Sequence, residues 1–528
     1  MATTKIEGSA VGRIHAKTVA LSVTAVLLVG SLLQITAPYS KGIGLIWDTL
    51  FHFDSANYQH LITHLTYLPR LAVALLCGFA LAVAGCVMQF GDNVATSLGV
   101  NIKQIKLLCL SLAIFITAAV VSEVGLIGFV GIVAPAIARL LGVRSLAKQI
   151  LTSGLIGSLI LLIVDLVIQP FSGFGGELLP TGAMTALLGA PFLLWLLQRT
   201  KLQSDLKSRN EHIEQYKRVS TAKTLIAMSL VLAFTCLIAL TVGKNQFGWS
   251  IEIHESLFEL RTPRVLVALL AGIGLAFAGT IIQRISNNPM ASPEVLGISS
   301  GAALALVLGT LWGNTIGREE QMLLGTLGAT SVTAVVWLMG RKHNFAPTQT
   351  LLTGIALSAG LDALLRITMS SGNENATALL TWLSGSTYLV ATQDVVLLAV
   401  GVTIVGAISL SLHRWIELIN LGEVTTSSLG MNTTTVRLAL LLLVAALTTL
   451  CTIVIGPLSF IGLLAPHMAR SLHQYRAIPQ MLTAALLGAI IMVAADWIGR
   501  TLWFPWQFPA GLLASLLGGG YFLYLMRK

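Results

Sequence analysis

Charge is what this sequence has least of. Of its 528 residues only 10% are Asp, Glu, Lys or Arg, against about 25% in an ordinary soluble chain. That shortage excludes a soluble globular enzyme. With 55% hydrophobic residues, it excludes a disordered chain as well. Cysteine is also scarce. Cys77, Cys86, Cys109, Cys236 and Cys451 all lie in apolar stretches and form no CxxC pair, which excludes a disulfide scaffold and reads as small buried hydrophobes. No G-x-x-x-x-G-K-[ST], HExxH or G-x-S-x-G run occurs. The chain therefore lacks a phosphate-cradling loop, a zinc-protease helix and a nucleophile elbow. The formal charge of +10 would suggest nucleic acid in a soluble domain, but here its placement matters more than its sum, and no nucleic acid is expected.

What the chain has instead is apolar length. Mean hydropathy is +0.84, and runs of roughly 18 to 21 residues recur from end to end, each about enough to cross a ~30 Å hydrocarbon core as a helix. The reading is an all-α polytopic membrane protein. A basic stretch, Met1–Lys17, precedes the apolar run Thr18–Pro38 without an A-x-A-like cleavage site, which predicts a retained first helix. Six spans are expected near 18–38, 71–90, 105–122, 125–140, 150–168 and 181–198. A charged segment with seven basic and three acidic residues runs from Arg199 to Lys223. Ten more spans follow near 224–243, 265–283, 294–312, 321–340, 349–367, 394–412, 434–453, 456–470, 479–497 and 509–526. Those near 125–140 and 456–470 are short and punctuated by Gly and Pro, as a broken or tilted helix would be.

Sixteen spans put both termini on one side. With the N-terminus cytoplasmic, eight of the 32 Lys and Arg fall outside (Lys41, Arg70, Lys244, Arg261, Arg264, Arg318, Arg366, Arg500), leaving 32 − 8 = 24 inside. A three-to-one excess is the positive-inside pattern, and a span miscounted by one would largely destroy it.

The chain also repeats itself. Leu68-Pro-Arg-Leu-Ala-Val-Ala-Leu-Leu-Cys-Gly78 mirrors Thr262-Pro-Arg-Val-Leu-Val-Ala-Leu-Leu-Ala-Gly272; Gly85 answers Gly279 and Gln89 answers Gln283, at an offset of 283 − 89 = 194. Further on, Gly128-Phe-Val-Gly-Ile-Val-Ala-Pro-Ala-Ile-Ala-Arg139 mirrors Ser459-Phe-Ile-Gly-Leu-Leu-Ala-Pro-His-Met-Ala-Arg470. Gly91 answers Gly422, Gly99 answers Gly430 and Asp165 answers Asp496, at an offset of 496 − 165 = 331. Between Gln89 and Gly91 the offset jumps by 331 − 194 = 137 residues. The first repeat thus lacks what the second holds between Gln283 and Gly422, namely four spans. An even number leaves every later helix in the same direction, so the repeats are parallel. The expected organisation is a shortened first repeat of about six helices over 1–198, a cytoplasmic linker over 199–223, and a complete ten-helix repeat over 224–528.

Five runs carry a resemblance. They are Leu260-Arg-Thr-Pro-Arg264, Asn288-Pro-Met-Ala-Ser-Pro-Glu-Val-Leu-Gly-Ile-Ser-Ser-Gly-Ala302, Trp382-Leu-Ser-Gly-Ser386, Gly456-Pro-Leu-Ser-Phe-Ile-Gly-Leu-Leu-Ala-Pro-His467 and the terminal Leu516-Leu-Gly518. Together they resemble the iron-siderophore and vitamin B12 type permeases of ABC importers (FecCD-like), which normally have ten helices per half. Two halves fused in one chain further resemble the double-length members of that family that import ferric hydroxamates. The resemblance implies a multi-pass permease in the bacterial inner membrane with both termini cytoplasmic. It would carry a ferric siderophore, of hydroxamate type in keeping with those members, from periplasm to cytoplasm. The implied partners are a homodimeric cytoplasmic ABC ATPase, a periplasmic siderophore-binding protein and membrane lipid, with no cofactor and no resident metal. Haem or cobalamin as cargo stays open, as do an ion-driven secondary transporter and a transport-dead shortened remnant.

The same resemblance suggests sites. Leu421-Gly-Glu-Val-Thr-Thr-Ser-Ser-Leu-Gly-Met431 is a polar segment of about two helical turns with Gly at each end. In the family this is the coupling helix seated on the ATPase, so Gly422, Glu423, Leu429 and Gly430 are coupling candidates. Gly91, Asp92, Leu98 and Gly99 are their first-repeat counterparts. Arg70, Arg261, Arg264 and Arg500 lie at the outer edge, as interfacial anchors would; the family implies that they pair with carboxylates of the binding protein. Tyr67 and Gln169 stand where a second Arg261 and Arg500 would be. Gly272 and Gly279, like Gly78 and Gly85, are 279 − 272 = 7 residues apart, two turns on one helix face, which permits close helix approach. Asn288, Pro289, Gly297 and Gly301 join them as pathway or packing candidates. His60 and His64 at i, i+4 spacing lack an evident third metal ligand. Asp165 and Asp496 fit a cap or an interfacial ion pair better than a proton relay.

Overall fold

The computed structural model of the chain describes residues 68–87, 111, 113–118, 129–143, 145–168, 181–199, 220–246, 248–251, 255–312, 317–342, 344–369, 382–388 and 390–527. The chain divides into two compact units, Met1–Leu196 and Leu197–Lys528. The expected spans at 18–38 and most of 105–122, the His60/His64 pair, and Gly91, Asp92, Leu98 and Gly99 lie outside the described residues.

In the first unit the described helices are α1 (Leu68–Val87), α2 (Val130–Leu140), α3 (Leu146–Ile168) and α4 (Thr181–Arg199). Helices α1 and α3 cross where both have glycine. A Cβ on Gly78 would stand 2.4 Å from the Gly157 carbonyl oxygen, and one on Gly157 would stand 2.2 Å from that of Gly78. Only hydrogen fits on either side, so the two backbones touch. Gly85 lies further along α1. Around the crossing, Cys77, Leu81, Val130 and Leu161 form a buried cluster.

The second unit begins with α5 (Thr221–Thr241) and a hairpin of β1 (Val242–Asn245) and β2 (Gly248–Ile251), followed by α6 (Glu255–Ser286). A 3-10 turn (Pro293–Leu296) leads into α7 (Ile298–Trp312), α8 (Arg318–Arg341), α9 (Pro347–Met369) and α10 (Thr392–Ser411). Then come the short α11 (His413–Ile419) and α12 (Glu423–Ser428), α13 (Thr433–Ile455), α14 (Ile461–Ser471), α15 (Ala477–Thr501) and α16 (Ala510–Arg527). Helix α6 is the hub, packed against α15, α13, α14 and α10. Its crossing with α15 repeats the first unit: a Cβ on Gly272 would meet the Gly488 carbonyl oxygen at 2.3 Å, and the reverse distance is also 2.3 Å. Since 272 − 78 = 194 while 488 − 157 = 331, equivalent crossings occur at both of the offsets found in the sequence.

Among the described residues eight helices are long and apolar enough to span a membrane, and four shorter apolar ones accompany them. Leu230 and Phe234 of α5 and Leu323 of α8 are more than half exposed, as side chains facing lipid are. Helices α2 and α14 have 11 residues each, about 16 Å of helix, and cannot cross a ~30 Å core unaided. Both were expected to be short or broken, and both enter through a left-handed phenylalanine: Phe129 at φ 70, ψ −30 and Phe460 at φ 71, ψ −27.

Three elements depart from the sequence reading. The span expected over 294–312 is helical only from Ile298, because Gly297 at φ 77 separates it from the 3-10 turn. Helix α6 extends back to Glu255 and carries Pro263 inside it, so Arg261 and Arg264 sit within the helix rather than before it. The hairpin went unforeseen, since two strands of four residues are too short to show a period of two. It is held from outside by the Trp497 indole, whose Nε1 donates to the Val242 carbonyl at 3.0 Å and whose ring lies 6.0 Å from that of Trp249.

Candidate functional site

The second unit has two chemically distinct ends, set by the direction of α15. At the end where α15 finishes, Asp496 and Arg500 are one turn apart on the same face, and Arg500 Nε donates to Asp496 Oδ2 at 2.9 Å. Asp496 is only 2% exposed, so its charge needs more than one partner. Arg264 of α6 brings its Nε within 3.7 Å of Asp496 Oδ1, and the Thr387 hydroxyl donates to that same oxygen. The arginines are held in turn. Arg500 Nη2 donates to the Ala239 carbonyl at 3.0 Å. Arg264 Nη1 donates to Gln507 Oε1 at 3.1 Å, and its guanidinium lies 5.6 Å from the centre of the Tyr388 ring. Arg261 Nη1 donates to the Leu240 carbonyl at 3.0 Å.

Three segments thus meet at one carboxylate, and two more, at Ala239 and Gln507, hold its arginines, with the arginines in excess. Asp496 is an interfacial ion-pair residue, the alternative the sequence reading preferred to a proton relay. Arg264 and Arg500 were expected as side chains offered to a partner, yet only 16% and 9% of their side-chain surface is exposed. Arg70 lies in α1, but its side chain is outside the described residues. Thr387, Tyr388 and Gln507 were not foreseen as site residues, because nothing local in their runs marks them as partners of Asp496.

At the other end of α15, about 37 Å away for 25 residues at ~1.5 Å each, the Ala477 N–H donates to the Glu417 carboxylate at 3.0 Å. This contact ties α11, and α12 beyond it, to the start of α15. Helix α12 is one and a half turns between two left-handed glycines, Gly422 at φ 92 and Gly430 at φ 79. A Cβ on either would meet nothing within 4 Å, so glycine is required there for its backbone angle and not for space. Gly430 N–H donates to the Ser427 carbonyl and Met431 N–H to that of Thr426, a Schellman closure. The buried Thr426 hydroxyl bonds the Leu418 and Gly422 carbonyls at 2.9 and 2.6 Å. The helix is therefore fastened on its inner side, while Leu421 and Leu429 are 55% and 60% exposed. Glu423 begins α12, with its side chain outside the described residues.

Between the ends the backbone is broken at two buried glycines, Gly297 at φ 77 and Gly456 at φ 97. Just past the end of α6, in an exposed turn that contains Pro289, Asn288 Oδ1 accepts the Met290 N–H at 2.9 Å; a Cβ on Gly328 would stand 2.3 Å from the Gly301 carbonyl oxygen, and one on Gly301 2.9 Å from that of Gly328. Gly279 lies against Gly462 at the start of α14. Polar side chains pair within the bundle, Ser299 with Thr452 at 2.9 Å and Ser300 with Ser358 at 3.0 Å. Non-helical backbone at membrane depth occurs where it is buried in protein or lines a cavity, and in transporters it marks the pathway.

A lipid-facing bundle with broken helices, a fastened short helix at one end and an arginine cluster at the other defines a membrane transport subunit rather than an enzyme. Comparison with known proteins agrees. The sequence model of the FecCD transport family matches residues 23–90, 87–199 and 225–528, and the chain belongs to that family. The iron(3+)-hydroxamate import system permease protein FhuB of Salmonella typhimurium is 42% identical over 467 residues, covering 87% of this chain and 67% of the relative. The Escherichia coli protein of the same name is 41% identical over 87% of this chain and 70% of its own length. The Fe(3+) dicitrate transport system permease protein FecC of Escherichia coli is 40% identical over 53% of this chain and 86% of its own. A solved metal-chelate type ABC transporter in an inward-facing conformation superposes with a TM-score of 0.54 at 27% identity, covering 58% of this chain and all of that one.

Proposed function

We propose that this chain is the permease subunit of an inner-membrane ABC importer, and that it carries a ferric siderophore of the hydroxamate class from periplasm to cytoplasm. Identity of 42% to a hydroxamate import permease across 87% of the chain carries the reading. The positive-inside count of 24 to 8 supports a cytoplasmic α12 and cytoplasmic termini, with the Asp496 cluster on the outer face. A homodimeric ATPase would grip α12 through Leu421 and Leu429, and the first-repeat segment Gly91–Gly99 likewise. A substrate-binding protein would set its carboxylates against Arg261, Arg264 and Arg500, where the positive charge exceeds the one buried carboxylate. Arg70 would serve the first repeat.

The division into a shortened repeat (1–198), a linker (199–223) and a complete repeat (224–528) is supported by the family match, which breaks at residues 87–90 and then runs unbroken over 225–528. That break falls where the repeat offset jumps. Iron-hydroxamate-dependent growth of a permease-null strain tests the whole reading. The chain should restore growth when produced with its ATPase and binding protein; absence of growth with normal membrane insertion would make it a transport-dead remnant. Coupling has a narrower test. Gly430→Val forces a β-branched residue into a left-handed angle costing ~1–2 kcal/mol or more, so α12 should lose its closure. Uptake and ATPase co-purification should both fall about tenfold, the equivalent of ~1.4 kcal/mol, while binding-protein affinity stays as in the unaltered chain. Unchanged co-purification would remove α12 from the ATPase contact.

A further inference from the structure

The joint between α13 and α14 is the sharpest irregularity in the second unit. It opens at Gly456, φ 97, where a Cβ would stand 2.0 Å from the Trp382 carbonyl oxygen, and it closes at Phe460, φ 71. A bulky residue at positive φ is an outlier, with a cost of ~1–2 kcal/mol. The Phe460 N–H donates to Glu294 Oε1 at 3.0 Å. Glu294 belongs to the 3-10 turn before α7, and the neighbouring Pro293 lies against Gly462 in the first turn of α14. From α6, the fully buried Gln283 donates Nε2 to the Leu463 carbonyl at 3.0 Å. A carboxylate at this place also meets the positive end of the α14 dipole.

Phe129 shows that the angle itself does not depend on this carboxylate. It takes φ 70, ψ −30 at the start of α2. Yet the repeat stretch that holds Glu294, between Gln283 and Gly422, has no counterpart in the first repeat. What Glu294 adds is a tie between two discontinuous segments.

We propose that Glu294 is a positioning residue for transport. Its carboxylate locks the α13–α14 joint of the second repeat to the 3-10 turn, so that α14 and the entry to α7 move as one piece, a tie for which the first repeat has no counterpart residue. The inference rests on the transport reading for its purpose, but not for its test. Ser459 is exposed and directly precedes Phe460. In the full chain with its five cysteines replaced, Ser459→Cys is labelled by a water-soluble maleimide, with Glu294 intact or substituted.

Glu294→Ala should speed labelling about tenfold, the equivalent of ~1.4 kcal/mol and within the range of one buried hydrogen bond. Glu294→Gln, which keeps an amide oxygen for the Phe460 N–H, should label at the unaltered rate. Should the alanine variant fail to fold, Glu294→Asp, one methylene too short to reach, takes its place with the same expected rise. Equal rates in the glutamine and alanine (or aspartate) variants, or no rise in either, would overturn the lock. Uptake is measured in parallel, and it should fall in the alanine variant and not in the glutamine variant; an alanine variant that transports normally would overturn the positioning role. No uptake by the unaltered chain would count against the transport reading alone, and labelling would still decide the lock.

Discussion

Asp496→Ala should unfold the second unit more readily than any other single change of charge in it. The substitution leaves Arg264 and Arg500 facing each other with 16% and 9% of their side chains exposed and no anion between them. Removing one partner of a buried pair costs about 3–5 kcal/mol, and the Thr387 hydroxyl loses its acceptor as well. Thermal unfolding of the detergent-purified chain measures this. Arg500→Ala should cost less, because Asp496 keeps Arg264 and Thr387. Salt should soften the difference only slightly, since pairs this buried are weakly screened. An alanine variant at 496 within ~1 kcal/mol of the unaltered chain would mean that the ion pair is not what holds these five segments together.

Gly279→Val is the second large effect, and its cause is volume. Even the first added atom would stand 1.8 Å from the Gly462 carbonyl oxygen, and that neighbour is backbone. Gly462 has little room to shift, because a Cβ built on it would itself stand 2.5 Å from the Pro293 ring. Helices α6 and α14 would have to separate, at or beyond the ~1–3 kcal/mol typical of overpacking. Little folded protein should reach the membrane. Gly519→Val is the matched control: nothing lies within 4 Å of its added Cβ, so it should accumulate normally. Equal membrane yields from the two variants would refute the close crossing.

Much of this could be read along the chain, and the reason differs from element to element. The helices show because hydropathy summed over twenty residues reports what lipid tolerates. The repeat shows because equivalent crossings need equivalent residues: Gly78 and Gly272 recur because each must let another backbone pass, at Gly157 and Gly488. Gly422 and Gly430 could be named since left-handed helix ends select glycine. The Asp496 cluster was only half visible. Arg500 stands four residues away and was seen, whereas Thr387 is 109 residues distant and Gln507 lies 243 from Arg264. Glu294 was quoted within a run and given no role, because its partner Phe460 is 166 residues away and offers only a backbone N–H, which every residue but proline has.

Low charge, span length and the jump from 194 to 331 in repeat offset are local or periodic properties. They point to a lipid solvent, and they carry the expected orientation and the expected gap in the first repeat before any helix is placed. Which arginine is spent on which carboxylate, where a helix breaks at depth, and what ties the broken ends depend on how helices cross. Crossing brings together groups whose separation along the chain carries no information about their distance in space. For that reason Arg264 and Arg500, expected to offer their charge to a partner, also share Asp496 within the chain, and Thr387 joins them there from 109 residues away.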